Sequence, residues 1–192
     1  MVAGLRGGYP EAMTTHAPTT AYVLTAIGDD RPGLVAALAA AVDEHGGNWV
    51  DSQLALLGGK FAGIVQVELP DDRAQSFLTV LPALADEVGL AVEATVAGGP
   101  VDPAPHSALR LHLLGQDRTG MVREVSSALR SQGATIDGLR SWTREAPEGG
   151  GMLFEAEAEV RLPAGADEDG VREALETIAA ELMVDLELDA SE

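Results

Sequence analysis

The chain carries one nine-residue pattern twice. Residues 27–35 read IGDDRPGLV, and residues 114–122 read LGQDRTGMV, 87 positions later. The same spacing relates Ala41 to Ala128 and Gly46 to Gly133, and after a short insertion in the second copy, at 145–151, residues 61–70 match 154–163. A self-match at one long period indicates two copies of one folding unit. The 192 residues therefore predict two small domains of about 80 residues each rather than one mid-sized domain.

Hydrophobic periodicity predicts the same six elements in each copy. In the first copy it predicts strands at 21–27, 48–56, 61–69 and 90–96, a helix from residue 34 with Pro32 in its first turn, and a second helix from about residue 77 to 88. In the second copy it predicts strands at 108–114, 135–143, 152–162 and 183–189, and helices at 120–131 and 169–181. The order βαββαβ is the ferredoxin-like split βαβ arrangement, an α+β fold in which one antiparallel sheet carries both helices on one face. We place a flexible leader at 1–20, the first domain at 21–97, a proline-rich linker at 98–107 and the second domain at 108–192.

The first strand of the second copy alternates apolar and polar residues. Leu109, Leu111 and Leu113 alternate with Arg110 and His112, so one sheet face is expected to be core and the other polar. A small sheet also has edges to cover. We therefore expect the copies to pack together and the chain to form at least a homodimer.

Composition limits the class of partner. The chain has 31 acidic and 12 basic side chains, a net charge of -19, and such a surface repels phosphate backbones, so we expect no direct nucleic-acid binding. There is no cysteine, which excludes disulfides and thiolate metal sites. No apolar run has the length of a membrane helix and no signal peptide is recognisable. These features predict a soluble, cytoplasmic protein without a membrane partner.

The turn after the first strand is the candidate binding element. The sequence GDDRPG between a strand and a helix places backbone N–H groups at the positive end of a helix dipole, where a carboxylate can bind. Gly33 keeps the turn free of a side chain, and Pro32 has a fixed φ. From local physics alone, the alternative is that Asp30 caps the helix and Gly33 allows close packing.

The pattern DRPGLV, followed by a helix and then by HGGNWVDSQ at the next strand, resembles the ACT domain. Two such copies in a chain of this length, with DRTG in the second, are most similar to the glycine cleavage system transcriptional repressor family. The resemblance implies a small regulatory module that binds an amino acid at an interface between domains, near the first turn and the start of the second strand.

Carried over by position, the resemblance assigns two groups of ligand-binding residues in the first copy. These are Asp30, Arg31, Pro32, Gly33 and Leu34 in the turn, and Asn48, Trp49 and Val50 on the second strand. The corresponding second-copy residues Asp117, Arg118, Gly120 and Thr135 form a weaker candidate site, because Thr119, Ala134 and Thr135 replace a proline, a glycine and the asparagine.

No catalytic set or metal site is predicted, and no cofactor is expected. The four histidines lack metal-ligand spacing, and the acidic pairs before the later helices, at 71–72 and 167–169, are interpreted as helix caps. Trp49 and Trp142 lie on the second strand of each copy at non-equivalent positions, in an interface or in the core.

Two functions remain open. The first is a non-catalytic, amino-acid-responsive regulator that acts through a protein partner such as a transcriptional regulator. The alternative is a ligand-free assembly module that holds a dimer together. An enzyme is disfavoured because the repeat occupies nearly the whole chain.

Overall fold

The computed structural model describes residues 17–98, 107–163, 165–166 and 168–190. These residues form two compact units, one on each side of the segment 99–106. Most of the expected leader and linker lies outside the described residues. Residues 19 and 20, which we had placed in the leader, belong to the first strand.

Each unit has the element order βαββαβ, so the predicted fold class is confirmed. The first unit contains β1 (Thr19–Asp29), α1 (Leu34–Glu44), β2 (Asn48–Leu57), β3 (Lys60–Pro70), α2 (Asp71–Val88) and β4 (Leu90–Val96). The second contains β5 (Ser107–Gln116), α3 (Met121–Ser131), β6 (Thr135–Glu145), β7 (Met152–Leu162), α4 (Glu168–Leu182) and β8 (Val184–Ala190). The insertion between β6 and β7 holds a short 3-10 helix, Pro147–Gly149, which the sequence did not predict.

Both sheets have the antiparallel strand order expected of this fold. The order is β2-β3-β1-β4 in the first unit and β6-β7-β5-β8 in the second. Because side chains alternate along a strand, one face of each sheet packs under the helices. The core of the first unit is built on Leu24, Val65, Val67 and Phe77, and that of the second on Leu111, Val160, Leu162 and Leu175. Burying each such large side chain stabilises a unit by about 1.5–3 kcal/mol.

The helix ends differ from the predicted caps. The N-cap of α1 is Gly33, at φ 97°, and no side chain caps this helix, so the interpretation of Asp30 as its cap is wrong. Pro32 lies in the turn before the helix instead of in its first turn. Helix α2 begins six residues earlier than predicted, because Phe77 and Ala74 both face the core.

Asp71 and Asp72 also act differently from the caps we expected. They occupy the first turn of α2, whose N-cap is Pro70 without a side-chain cap. Asp71 Oδ1 instead accepts a hydrogen bond from Thr20 Oγ1 at 2.7 Å. Both carboxylates still lie near the positive end of the helix dipole.

Glycine 28 sets the distance between β1 and the end of α2. A Cβ at Gly28 would lie 2.5 Å from the carbonyl oxygen of Gly89, whereas one at Gly98 would meet no atom within 4 Å. Gly28 immediately precedes Asp29, the last residue of β1, so this contact fixes where the following turn begins.

We expect Gly28→Ala to destabilise the protein by about 1–3 kcal/mol, because the backbone of β1 and Gly89 must move apart. Gly98→Ala is the matched control and should change stability by less than about 0.5 kcal/mol. Urea unfolding followed by circular dichroism measures both. Equal stability of the two variants would show that the close contact at Gly28 is relaxed in solution.

Candidate functional site

The DRPG turn exposes unpaired backbone donors at the start of α1. The first helical bond runs from the N–H of Ala37 to the carbonyl of Gly33 at 2.9 Å, so the N–H groups of residues 33–36 have no partner within the helix. A Cβ at Gly33 would meet no atom within 4 Å. The turn therefore presents free donors and the positive end of a dipole to open space.

The backbone before this turn is held by the hairpin between β2 and β3. The N–H of Asp30 donates to the carbonyl of Gly59 at 3.1 Å, in the turn between β2 and β3. Asp29 forms an ion pair with Lys60, and the hydrogen bond from Lys60 lowers the pKa of the Asp29 carboxyl. The side chain of Asp30 is exposed and forms no hydrogen bond or ion pair with any described residue.

Arg31 lies beside the end of the second helix. Gly89, the C-cap of α2, has φ 64°, and a Cβ there would overlap the guanidinium of Arg31. A cation at a helix C-terminus is favourable because the carbonyl groups there carry partial negative charge. The Arg31 side chain is thus oriented towards α2 rather than over the N-terminus of α1.

Asn48 lies at the opposite end of the sheet from the DRPG turn. In the ladder of β3, Asn48 pairs with Glu68 and Glu68 pairs with Ala21, whereas Asp29 pairs with Lys60 at the other end. Eight residues of strand separate these two levels, about 27 Å. The structure therefore does not bring the two predicted groups of site residues together within one unit.

The neighbours of Asn48 have distinct positions. Trp49 is half-buried and packs against the core of its unit. Val50 is exposed at a bulge, where the register between β2 and β3 shifts. Leu34 is 3% exposed and belongs to the core, so only its backbone can contact a ligand.

The second turn has the same backbone but a carboxylate of its own. Gly120 is the N-cap of α3 at φ 98°, and the N–H of Asp117 donates to the carbonyl of Met152 at 2.9 Å. Glu124 Oε1 would lie 3.3 Å from a Cβ at Gly120, and Glu124 Oε2 accepts a 2.7 Å bond from Arg118 Nη2. Thr135 is exposed at the start of β6, paired with Arg161, at the level that Asn48 has in the first unit.

Glu124 is the side chain beside the second turn that the sequence reasoning missed. With the 87-residue spacing, its first-copy counterpart is Ala37. The aligned repeat shows this difference. A glutamate lies four residues after the turn glycine in the second copy, and an alanine lies four residues after it in the first. The sequence predicts a weaker second site because of Thr119, Ala134 and Thr135. The structure shows a further difference, the carboxylate of Glu124 beside the turn.

Neither a candidate metal site nor a candidate membrane-spanning helix is found in the described part of the chain. Within residues 17–98, 107–163, 165–166 and 168–190, no group of three or more His, Asp or Glu side chains is arranged to hold a metal ion. None of the helices among these residues is long and apolar enough to cross a membrane.

The ion pair between Arg118 and Glu124 should be detectable in the titration of the Glu124 carboxyl. The hydrogen bond from Arg118 lowers the pKa of the Glu124 carboxyl below 4.5, so the stabilisation is present above the unfolded-state pKa and is lost as the pH falls through the folded-state pKa. A carbon-detected NMR titration should show Glu124 protonating below its ordinary range, and Arg118→Gln should raise that pKa. An unchanged Glu124 pKa in Arg118→Gln would contradict the pairing.

Comparison with known proteins identifies relatives of the first unit and of the whole chain. Residues 20–95 match the model of the ACT domain family. The chain is 26% identical over 161 residues to the glycine cleavage system transcriptional repressor of Escherichia coli K12, covering 83% of this chain and 84% of that protein.

Two solved structures share the fold over most of the chain. A protein of unknown function from Galdieria sulphuraria is 29% identical with a TM-score of 0.77, covering 91% of this chain and 100% of that one. A candidate glycine cleavage system transcriptional repressor is 20% identical with a TM-score of 0.69, covering 91% and 98%. The first unit thus matches the ACT domain family, and the chain as a whole, two ferredoxin-like units in tandem, is similar to the glycine cleavage system transcriptional repressors.

Proposed function

We propose that this protein is a non-catalytic regulator that binds a small amino acid at its first ACT unit and acts in the cytoplasm through a protein partner. The similarity to a transcriptional repressor supports a role in the transcriptional regulation of amino-acid or one-carbon metabolism. The comparison of the two turns carries the proposal.

The second turn serves as an internal reference for the first. Both turns place a glycine with φ near 97° at the helix N-cap, and in the second the carboxylate of Glu124 lies beside that glycine. In the first, Ala37 stands in the place of Glu124, and the space at Gly33 is open. A carboxylate supplied by a ligand has room in the first turn and would meet the charge of Glu124 in the second.

The ligand site takes residues from two copies of the first unit. Asn48 and the DRPG turn are about 27 Å apart along the sheet, which is too far for both to contact one small amino acid. Strand β2, however, is an edge of the sheet. Antiparallel pairing of two β2 edges places the start of one beside the end of the other, and Gly59, just beyond that end, is bonded to Asp30.

In this composite site each group has a distinct role. The free N–H groups of residues 33–36 bind the ligand carboxylate, and the Asp30 carboxylate binds its ammonium group. Asn48 of the second copy offers both a donor and an acceptor. Pro32 holds the turn with its fixed φ. Val50, exposed beside Asn48, covers the apolar part of the ligand.

Ligand binding makes the protein responsive because the site exists only in the assembled form. An amino acid that binds two apposed units and not the separate ones stabilises their association by mass action. A protein partner that recognises one assembly state then senses the amino-acid concentration. The net charge of -19 makes such a partner, rather than this chain, the carrier of any DNA contact.

Amino-acid binding is tested by calorimetric titration with glycine, alanine, serine and the remaining standard amino acids in turn. A ligand at about 100 times its dissociation constant should add about 2.7 kcal/mol of stability, visible as a raised melting temperature. Asn48→Ala and Ala37→Glu should both remove most of this shift, the first by deleting a contact and the second by placing a carboxylate beside the turn.

Thr135→Ala is the matched control and should leave the shift intact. Reversed behaviour of Asn48→Ala and Thr135→Ala would move the site to the second unit. If none of the amino acids changed the melting temperature, the ligand-free assembly module would be the better description of the protein.

Isolated protein should show no measurable affinity for duplex DNA at physiological salt, because the acidic surface opposes the counterion release that drives such binding. Fluorescence anisotropy with labelled duplex, with and without the amino acid found by calorimetry, measures this. Specific, salt-sensitive binding by the chain alone would show that no partner is needed for DNA contact.

A further inference from the structure

The open face of the second sheet, the face away from α3 and α4, carries charge in stripes. The register places its side chains in cross-strand rows, one of which runs Arg140, Glu157, His112, Glu187 over β6, β7, β5 and β8. In the next row Glu159 of β7 lies beside Arg110 of β5. Across the three rows, β7 presents Glu155, Glu157 and Glu159 and β8 presents Asp185 and Glu187, whereas β6 presents Arg140 and β5 presents His112 and Arg110. Trp142, Gly138 and Leu114 occupy the remaining positions of β6 and β5.

The open face of the first sheet lacks these stripes. The positions that correspond to Glu155, Glu157 and Glu159 by sheet register are Ala62, Ile64 and Gln66. Ile27 and Ile64 on this face are 54% and 46% exposed. The stripes are therefore specific to the second unit and are not required by the fold that both units share.

One end of the striped face is organised around Glu155. Its carboxylate accepts hydrogen bonds from Arg144 Nε at 2.9 Å, His112 Nε2 at 3.0 Å and Trp142 Nε1 at 3.1 Å. The guanidinium of Arg140 lies 5.0 Å from the centre of the Trp142 ring. Trp142 thus lies on the open face rather than in the core, and its contacts hold Arg140 at the β6 edge.

The remaining charges of the stripes are exposed and unpaired. Among the described residues, none forms an ion pair with Arg110, Arg140, Glu157, Glu159 or Glu187, although several are register neighbours. Charges that point away from the sheet without pairing to each other are available to a partner surface.

We propose that this striped face is a self-complementary interface with the second unit of another copy of the chain. A two-fold axis parallel to the strands places β6 over β8 and β7 over β5 of the other copy. Two arginines then face glutamates across the axis: Arg140 faces Glu187 and Arg110 faces Glu159, while Glu157 faces the imidazole of His112. A two-fold axis across the strands would instead place each strand over its own copy and oppose like charges.

The first sheet's open face is a poor partner for this surface. Exposed Ile27 and Ile64 offer no compensation to desolvated charges, and leaving charges unpaired in an interface is costly. Complementary charges mainly determine which surfaces associate and in which orientation. They contribute less to the affinity. The charge complementarity therefore favours the second unit of another copy, and not the first unit, as the partner of the striped face.

The size of the face indicates a weak, reversible contact. Four strands and three rows cover about 20 Å by 20 Å, roughly 400 Å² on each partner, which is half of the ~800 Å² per partner of a standard interface. The net charge of -19 also opposes self-association, and salt screens this repulsion together with the attraction between stripes. Salt dependence alone is therefore not diagnostic, so the test exchanges charges at constant ionic strength.

The test mixes two charge-reversed variants of the full chain, Arg140→Glu and Glu187→Arg. In each variant alone, both contacts across the two-fold axis join like charges, so sedimentation velocity should show a smaller species than the wild type at equal concentration. In the mixture, a heterodimer restores both pairs, and the wild-type species should return. Arg140 and Glu187 lie about 14 Å apart on the two edges of one sheet, beyond the ~10 Å screening length at 0.1 M salt, so the rescue reports contact between chains.

Two further measurements keep the result interpretable. Glu93→Arg reverses the charge at the first-unit position that corresponds to Glu187. This control variant should sediment like the wild type. If either variant of the first pair fails to fold, Arg110→Glu with Glu159→Arg repeats the exchange in the next row. These two positions are cross-strand neighbours in one sheet, so for this pair only the recovery in the mixture reports contact between chains.

Unchanged sedimentation of all single variants, or a mixture as dissociated as its components, would overturn the proposal. The outcome is separate from ligand binding, because the amino-acid-dependent melting shift of Arg140→Glu should equal that of the wild type whether or not the striped face associates.

Discussion

Each unit buries one face of its sheet and leaves the other open, and this one-sidedness governs what the protein can do. Two helices on one side of four strands account for the apolar core of each unit. The face away from the helices is free of packing constraints, so its composition can diverge between copies of the same fold. In the first unit it combines exposed isoleucines with acidic residues such as Glu68 and Glu93, and in the second it carries charges of both signs. The repeat thus keeps one architecture while presenting two different surfaces.

The two strand-to-helix turns have diverged in a similar way on a shared backbone. Gly33 and Gly120 have nearly identical left-handed conformations, and in both units a backbone hydrogen bond joins the first acidic residue of the turn, Asp30 or Asp117, to the loop or strand beside it. What differs is the side chain four residues on. Because backbone donors at a helix start attract any carboxylate, a glutamate at that position supplies an internal anion, whereas an alanine leaves the donors to an external one.

Because of the strand order, the proposed ligand site requires two copies of the first unit. The DRPG turn follows the end of β1, and Asn48 opens β2 after α1 has returned along the sheet, so the two lie at opposite ends of one unit. An antiparallel edge at β2 offers a physical route for bringing them together across two copies. The striped face of the second unit lies on another sheet, so the interface proposed for it does not involve the residues of the proposed ligand site.

Much of the architecture follows from the sequence by itself. The repeat, the alternation of apolar residues and the glycines at turns predict βαββαβ twice, and the strand bounds agree within two residues at 48–57, 90–96 and 152–162. These features are local, since side-chain periodicity and backbone conformation depend on neighbours along the chain. The helix ends were less predictable. Helix α1 begins at Leu34 as predicted, but its N-cap is Gly33 and not Asp30, and α2 begins six residues earlier than predicted.

Only the tertiary structure decided which distant residues share a site. The sequence places DRPG and Asn48 near each other along the chain, and the register separates them because a helix carries the chain from one end of the sheet to the other. In the same way the sequence shows scattered arginines and glutamates between 110 and 187, and strand pairing turns them into stripes. Cross-strand neighbours are set by the hydrogen-bonded register between strands that lie far apart in the sequence, so the pattern within one strand does not identify them.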